Sequence, residues 1–137
     1  MKSENTKIIK SGKRKTAVAR AVLINGSGKI TINNQDYKFL HMFDRLRIEE
    51  PLRIAENILG KLNFDVSISV RGGGEKGQID AVRLALARAI NEFAKSEELT
   101  KAFNDYDWSL LVADVRRKEA YKPGDSKARR KRQTSYR

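Results

Sequence analysis

The sequence predicts a two-layer α+β domain, a mixed four-stranded sheet with helices on one face, carrying an extended basic C-terminal tail. Three observations carry this. Residues 64–70 (F-D-V-S-I-S-V) alternate at period two, which puts Phe64, Val66, Ile68 and Val70 on one face of a half-buried strand. Residues 78–95 space Ile79, Val82, Leu86, Ala89, Ile90 and Phe93 by three and four, the stripe of an amphipathic helix. From residue 116 onward periodicity stops and only charge remains. A length of 137 residues suits one domain plus tails, with about two-thirds of the unfolded surface buried.

The other elements follow in order. Residues 7–9 and 16–24 read as strands, the second alternating Val18, Ala21/Val22 and Ile24 with small or charged residues. Asn25-Gly26-Ser27-Gly28 is a tight turn, because Asn and Gly tolerate positive φ. Ile30 and Ile32 then alternate as the returning arm of a hairpin with residues 18–24. Residues 37–43 fit no single pattern. Pro51 suits the first turn of a helix. Leu52, Ala55, Ile58 and Leu59 continue that helix, and Gly60 stops it. In the long helix Arg83, Arg88, Glu92 and Lys95 fall opposite the apolar stripe. Residues 97–103 add a short helix, and Trp108 opens a last apolar run as a core anchor. Strands with helices on one face make two layers. Residues 1–115 are the folded body. Residues 116–137 are a tail, extended and disordered until it meets a partner.

Charge divides the same way. Twenty-nine Lys and Arg against seventeen Asp and Glu give a net +12. Residues 1–20 hold seven basic and one acidic residue, +6; residues 21–115 hold twelve and fourteen, −2; residues 116–137 hold ten and two, +8. A near-neutral body with basic ends is an electrostatic footprint for a phosphate backbone. The tail has few large apolar residues and cannot form an amphipathic face for an anionic membrane. The chain has no cysteine, which excludes disulfides, thiolate catalysis and Cys-ligated metal. The single His41 lies in a half-apolar stretch and reads as a packed or exposed histidine rather than a catalytic one. Apolar runs reach four residues, far short of the roughly 20 that span a bilayer, and no signal-peptide core follows Met1. A cytosolic protein with a polyanionic partner is expected.

Residues 71–77 (R-G-G-G-E-K-G) satisfy G-x-G-x-x-G through Gly72, Gly74 and Gly77, after a strand and before a helix. A dinucleotide fold also needs repeated βαβ units and an acidic residue ending a second strand. Too little chain follows for that, and Glu97 and Glu98 sit at a helix end. A small nucleotide-binding enzyme using this loop is therefore the disfavoured alternative. The loop chemistry supports something more general: backbone N–H groups, a helix N-terminus, Arg71 and Lys76 can approach a phosphate. A tight strand–helix connection explains the glycines equally. Lys13, Arg14, Lys15 and Arg20 form a backbone-positioning patch, or else a lysine-protected edge strand. The doublets Glu49/Glu50, Glu97/Glu98 and Asp105/Asp107 have no nucleophile beside them and read as solvated. Trp108 could stack on a base only if exposed. The 22-residue tail could reach roughly 70 Å when extended, and its tip pairs Tyr136 with Arg137.

Residues 11–21 (SGKRKTAVARA), 72–89 (GGGEKGQIDAVRLALARA) and 110–137 (LLVADVRRKEAYKPGDSKARRKRQTSYR) closely resemble the ninth small-subunit ribosomal protein family, in its archaeal and eukaryotic branch. The resemblance is colinear and covers nearly the whole chain. It implies a fold like the second domain of the fifth small-subunit ribosomal protein, with an unusual left-handed crossover. It implies a monomer within the cytoplasmic small ribosomal subunit, beside other proteins of the subunit head, with no enzymatic activity, cofactor or metal. It implies binding to rRNA of the head (3′ major domain) by Lys13, Arg14, Lys15, Arg20, Arg71, Gly72, Gly73, Gly74, Lys76, Arg116, Arg117, Lys122, Lys127, Arg129, Arg130, Lys131 and Arg132. It implies contact of Ser135, Tyr136 and Arg137 with the anticodon stem-loop of P-site tRNA. The chain departs from the family pattern at Val115, where proline is usual, at residues 119–124, and at Thr134.

Overall fold

The structure, a computed structural model, describes residues 7–124 and 127–136. Five strands form one sheet: β1 (Ile8–Arg14), β2 (Ala17–Asn25), β3 (Ile30–Ile32), β4 (Gln35–Asp36) and β5 (Phe64–Arg71). Their order is β1-β2-β5-β3-β4, antiparallel except for the parallel pair β3/β5. The sheet is mixed, as expected, with a two-residue fifth strand added. The helices α1 (Met42–Leu59), α2 (Glu75–Ala94) and α3 (Glu97–Tyr106) complete the α+β fold.

The expected β2–β3 hairpin does not form, because β5 lies between them. β5 pairs with β2 over eight residues, from Val18↔Arg71 to Asn25↔Phe64, whereas β3 has only three residues to offer. The turn after β2 is held by β5 instead. Asp65 accepts hydrogen bonds from the backbone N–H of Ser27 (3.0 Å), Gly28 (3.2 Å) and Lys29 (2.9 Å). Gly26 donates to the Asn63 carbonyl at 3.1 Å, and a Cβ on Gly26 would lie 2.2 Å from the Asp65 carboxylate. These N–H groups, Lys29 first, hold the Asp65 carboxyl below its ordinary value.

The buried face of β2 is also not the one its larger residues suggest. Ala17, Ala19, Ala21 and Leu23 are fully buried, while Val18 and Ile24 are exposed. Small residues are needed inside because α2 lies close on β1 and β2. A Cβ on Gly12 would fall 2.5 Å from the Ala81 carbonyl oxygen and 2.7 Å from the Ala85 nitrogen. The expected stripe of α2 does face the core: Ile79, Val82, Leu86, Ala89 and Ile90 are buried, and Phe93 meets Phe64 edge-to-face at 5.4 Å.

α1 begins at Met42 and carries Pro51 in its interior rather than at its start. The Pro51 ring is fully buried, so apolar packing stands where one helical hydrogen bond is missing. Two charge assignments are corrected as well. The Arg83 side chain is only 8% exposed, and its Nη2 lies 2.5 Å from Glu50 and 3.4 Å from Asp107. Arg83 therefore ties α2 to α1 and to the turn after α3, and neither Glu50 nor Asp107 is simply solvated. Arg88 donates to the Leu111 carbonyl (3.0 Å) and the Ser11 carbonyl (2.9 Å), joining β1 to the end of the body. α3 is N-capped by Ser96, which accepts from Leu99 N–H, and buries Leu99 and Phe103. Trp108 is not the anchor of the segment that follows: it is 61% exposed, and Leu110 is the buried residue.

Candidate nucleic-acid interface

The β1–β2 hairpin makes its turn at Lys15 and Thr16, with Lys15 at φ +55°. The loop between β5 and α2 closes against this turn. Gly72 and Gly73 both adopt positive φ. A Cβ on Gly72 would approach the Thr16 carbonyl oxygen to 2.7 Å, and one on Gly73 would reach Ala17 at 3.0 Å. These two glycines thus serve the tight connection that the sequence left as one of two readings. Gly74, by contrast, has open space around it and caps α2 with no side-chain acceptor. Between turn and loop lies a groove of about 450 Å³, rimmed by Lys15, Gly73, Gly74 and Lys76. Glu75 and Asp80 also line it. The sheet behind the loop has one parallel pair, not the repeated βαβ units of a dinucleotide cradle.

The cations expected to act together separate into three sets. Lys13, Arg20 and Arg71 are exposed and share the outer sheet face, where Lys13 pairs with Val18 and Val18 with Arg71 across the strands. Lys15 and Lys76 stand exposed at the groove. Arg14 is half-buried and engaged by carboxylates of the body. It forms an ion pair with Asp114 and lies 3.8 Å from Asp80, which also holds Arg47 at 2.8 Å.

Asp114 is also where the tail leaves. Its carboxylate accepts from the backbone N–H of Arg116 (2.9 Å) and from that residue's guanidinium (2.7 Å), and its carbonyl accepts from Arg117 (2.9 Å). Val115, where the resemblance implies a proline, is 87% exposed, and the Asp114 carboxylate shapes the exit. The tail then crosses the hairpin turn, where Arg116, Arg117 and Lys118 enclose a second groove with Lys15 and Thr16. Residues 13–15, 71–76 and 116–118 are far apart in sequence but meet at one pole of the molecule.

Beyond the pole the described tail has no helix or strand. Lys118 lies over the Tyr121 ring at 4.3 Å, and Arg129 pairs with Glu119 at 3.0 Å. Lys122, Lys127, Arg130, Lys131, Arg132, Ser135 and Tyr136 are exposed. Arg137 lies outside the described residues. The organising acids Asp80 and Asp114 escaped sequence reasoning. Their one local signal is the position of Asp114 immediately ahead of the basic run. Asp107 accepts from Ser109 N–H at 3.0 Å. Burial raises its carboxyl pKa, but the bonds from Ser109 and the charge of Arg83 prevail and the net shift is downward. Among the described residues no cluster of His, Asp or Glu could hold a metal, and no helix is long and apolar enough to cross a membrane.

A small α+β body with a basic pole and a long cationic strap is the build of a protein that seats itself in a folded polyanion. The comparisons make the class specific. The chain matches the family Ribosomal protein S9/S16 over residues 12–137, and it belongs to that family. It is similar to the small ribosomal subunit protein uS9 of Thermoplasma volcanium, 48% identical over 132 residues, covering 95% of this chain and 98% of the relative. The uS9 protein of Halobacterium salinarum is 46% identical over 128 residues (93% and 96%), and that of Methanococcus vannielii 45% over 129 residues (92% and 95%). The chain is accordingly a structural protein of the small ribosomal subunit.

Proposed function

We propose that the body (residues 1–115) binds the rRNA of the subunit head at the pole where Lys13–Lys15, the Gly72–Lys76 loop and Arg116–Arg117 converge. The tail (residues 116–137) continues along the RNA through Lys122, Lys127, Arg129, Arg130, Lys131 and Arg132. It ends with Ser135, Tyr136 and Arg137 at the anticodon stem-loop of P-site tRNA. The protein acts as one copy among neighbouring head proteins in the cytoplasmic small subunit. The observation that carries this reading is the convergence of three separated cationic segments at the point where the tail departs. Gly74 and the uncapped first turn of α2 suit a phosphate oxygen there, and the outer-face cations suit a backbone running past the sheet. Arg14 acts indirectly, by fixing Asp114 and hence the tail's exit.

Electrostatic engagement of 6–10 phosphates should lower affinity for a head-rRNA transcript by about 10³–10⁵ between 50 and 200 mM salt. A titration across that range tests it, and a flat salt response refutes the backbone-contact account. Deleting Tyr136 and Arg137 should leave subunit assembly intact and weaken retention of P-site tRNA. Unchanged retention in filter binding refutes the role of the tip.

A further inference from the structure

Trp108 is the single tryptophan of the chain, and 61% of it is exposed. It begins a 3-10 turn (Trp108–Leu110) whose N-cap Asp107 is held by Arg83, so its backbone is fixed while its indole faces outward. It lines a cavity of about 320 Å³ with Arg47, Arg116, Asp80, Asp107 and Asp114. Beyond the indole, those walls are polar. Of the exposed large apolar residues, Phe39, Met42, Phe43 and Leu46 belong to the turn before α1 and its first two turns, and Tyr106, Val112 and Val115, nearer Trp108 in sequence, do not line the cavity.

From this setting we infer that Trp108 is a stacking platform for one unpaired RNA base at the tail exit. The inference rests on the rRNA-binding reading above. A base offers a π-face for the indole and a polar edge for the surrounding side chains. An apolar protein side chain would satisfy only the first and would strip water from the second. The cations suited to the flanking phosphates are Arg47, 46% exposed with one contact to Asp80, and Arg116, 76% exposed. A guanidinium carries five N–H donors, so pairing with Asp80 leaves Arg47 donors for an anion. The cavity also adjoins the basic pole, sharing Arg14 with the first groove and Arg116 with the second.

Trp108 fluorescence reports on this site alone. In the full chain, a head-rRNA transcript should quench it saturably, and inorganic polyphosphate at equal phosphate concentration should not. Trp108→Leu should weaken transcript binding by about 5- to 140-fold, the range expected for one stacked base. Trp108→Phe should recover most of that loss. Circular dichroism and melting of both variants should match the parent, since the side chain lies outside the core. Unaltered fluorescence on a transcript that binds in gel shift, equal quenching by polyphosphate, or unchanged affinity of Trp108→Leu would each overturn the stacking role while leaving the salt-dependent rRNA reading standing. A transcript that fails to bind at all would overturn both.

Discussion

Arg83 and Arg129 carry the same guanidinium and use it in opposite ways. Arg83 is 8% exposed, enclosed by Glu50 and Asp107, and holds three elements together. Arg129 is 89% exposed with one glutamate beside it. The difference is carboxylate supply: fourteen acids for twelve bases in residues 21–115, two for ten beyond them. Where carboxylates enclose the base, as at Arg14 and Arg83, the cation becomes part of the scaffold. Where they do not, the charge stays at the surface. Net charge alone therefore overstates the interface, since Arg14 counts toward the +12 yet is committed to Asp114.

The largest expected effect separates the two regions outright. Truncation after Val115 removes the tail's net +8 but only exposed pairs, which contribute about 0–1 kcal/mol each. Affinity for a head-rRNA transcript near 100 mM salt should fall by roughly 10³-fold or more. The melting temperature should stay within a few degrees of the parent. Substantial unfolding of the truncated chain would show that the tail is part of the body.

Next in size is a test of the buried end of the comparison. Glu50→Ala combined with Asp107→Ala strands the Arg83 charge in the interior and should destabilise the body by about 3–5 kcal/mol. Arg83→Met keeps the apolar stem and leaves two carboxylates that reach water, so it should cost less than about 1.5 kcal/mol. Urea unfolding of both variants measures the asymmetry. Equal losses would mean that attraction, not desolvation of the arginine, sets the energy.

The same contrast explains what could be read in advance. β5 and α2 were legible because their periods are local and unbroken over eight and twenty residues. The partner of β3 was not, because Asp65 holds the residue 25–29 turn from 36 to 38 positions away. The start of α1 was hidden because Met42, Phe43 and Leu46 face solvent and draw no apolar stripe, while Pro51 imitates a helix beginning. On a helical wheel nothing distinguishes Arg83 from a solvated arginine; the acids that bury it come from α1 and from the residue after α3. At the interface, the cations were visible as runs. Their sorting depended on Asp80 and Asp114, whose partners are set only by the fold. Gly12 shows the same limit, since its neighbour is a helix about seventy residues later. Gly12→Ala should cost about 1–3 kcal/mol through overpacking against α2 backbone, read as a lower denaturant midpoint. An unchanged midpoint would mean that β1 can move away from α2.

The smallest effect concerns pH, and its sign follows from the two depressed aspartates. Asp65 and Asp107 have folded pKa values below the ordinary carboxyl value. The unfolded chain therefore binds more protons than the folded one in that range. Their stabilisation is fully present above the unfolded value of 3.8 and is lost as pH falls through the folded values. Asp65→Asn keeps an oxygen facing the N–H groups of Ser27, Gly28 and Lys29 but removes the charge they favour. Its melting temperature should lie below the parent's at pH 7, and the gap should close as the solution is acidified and Asp65 itself becomes neutral. Asp107→Asn should behave in the same direction. A gap that stays constant from pH 7 to pH 2 would show that shape, not charge, lets Asp65 hold the turn against β5.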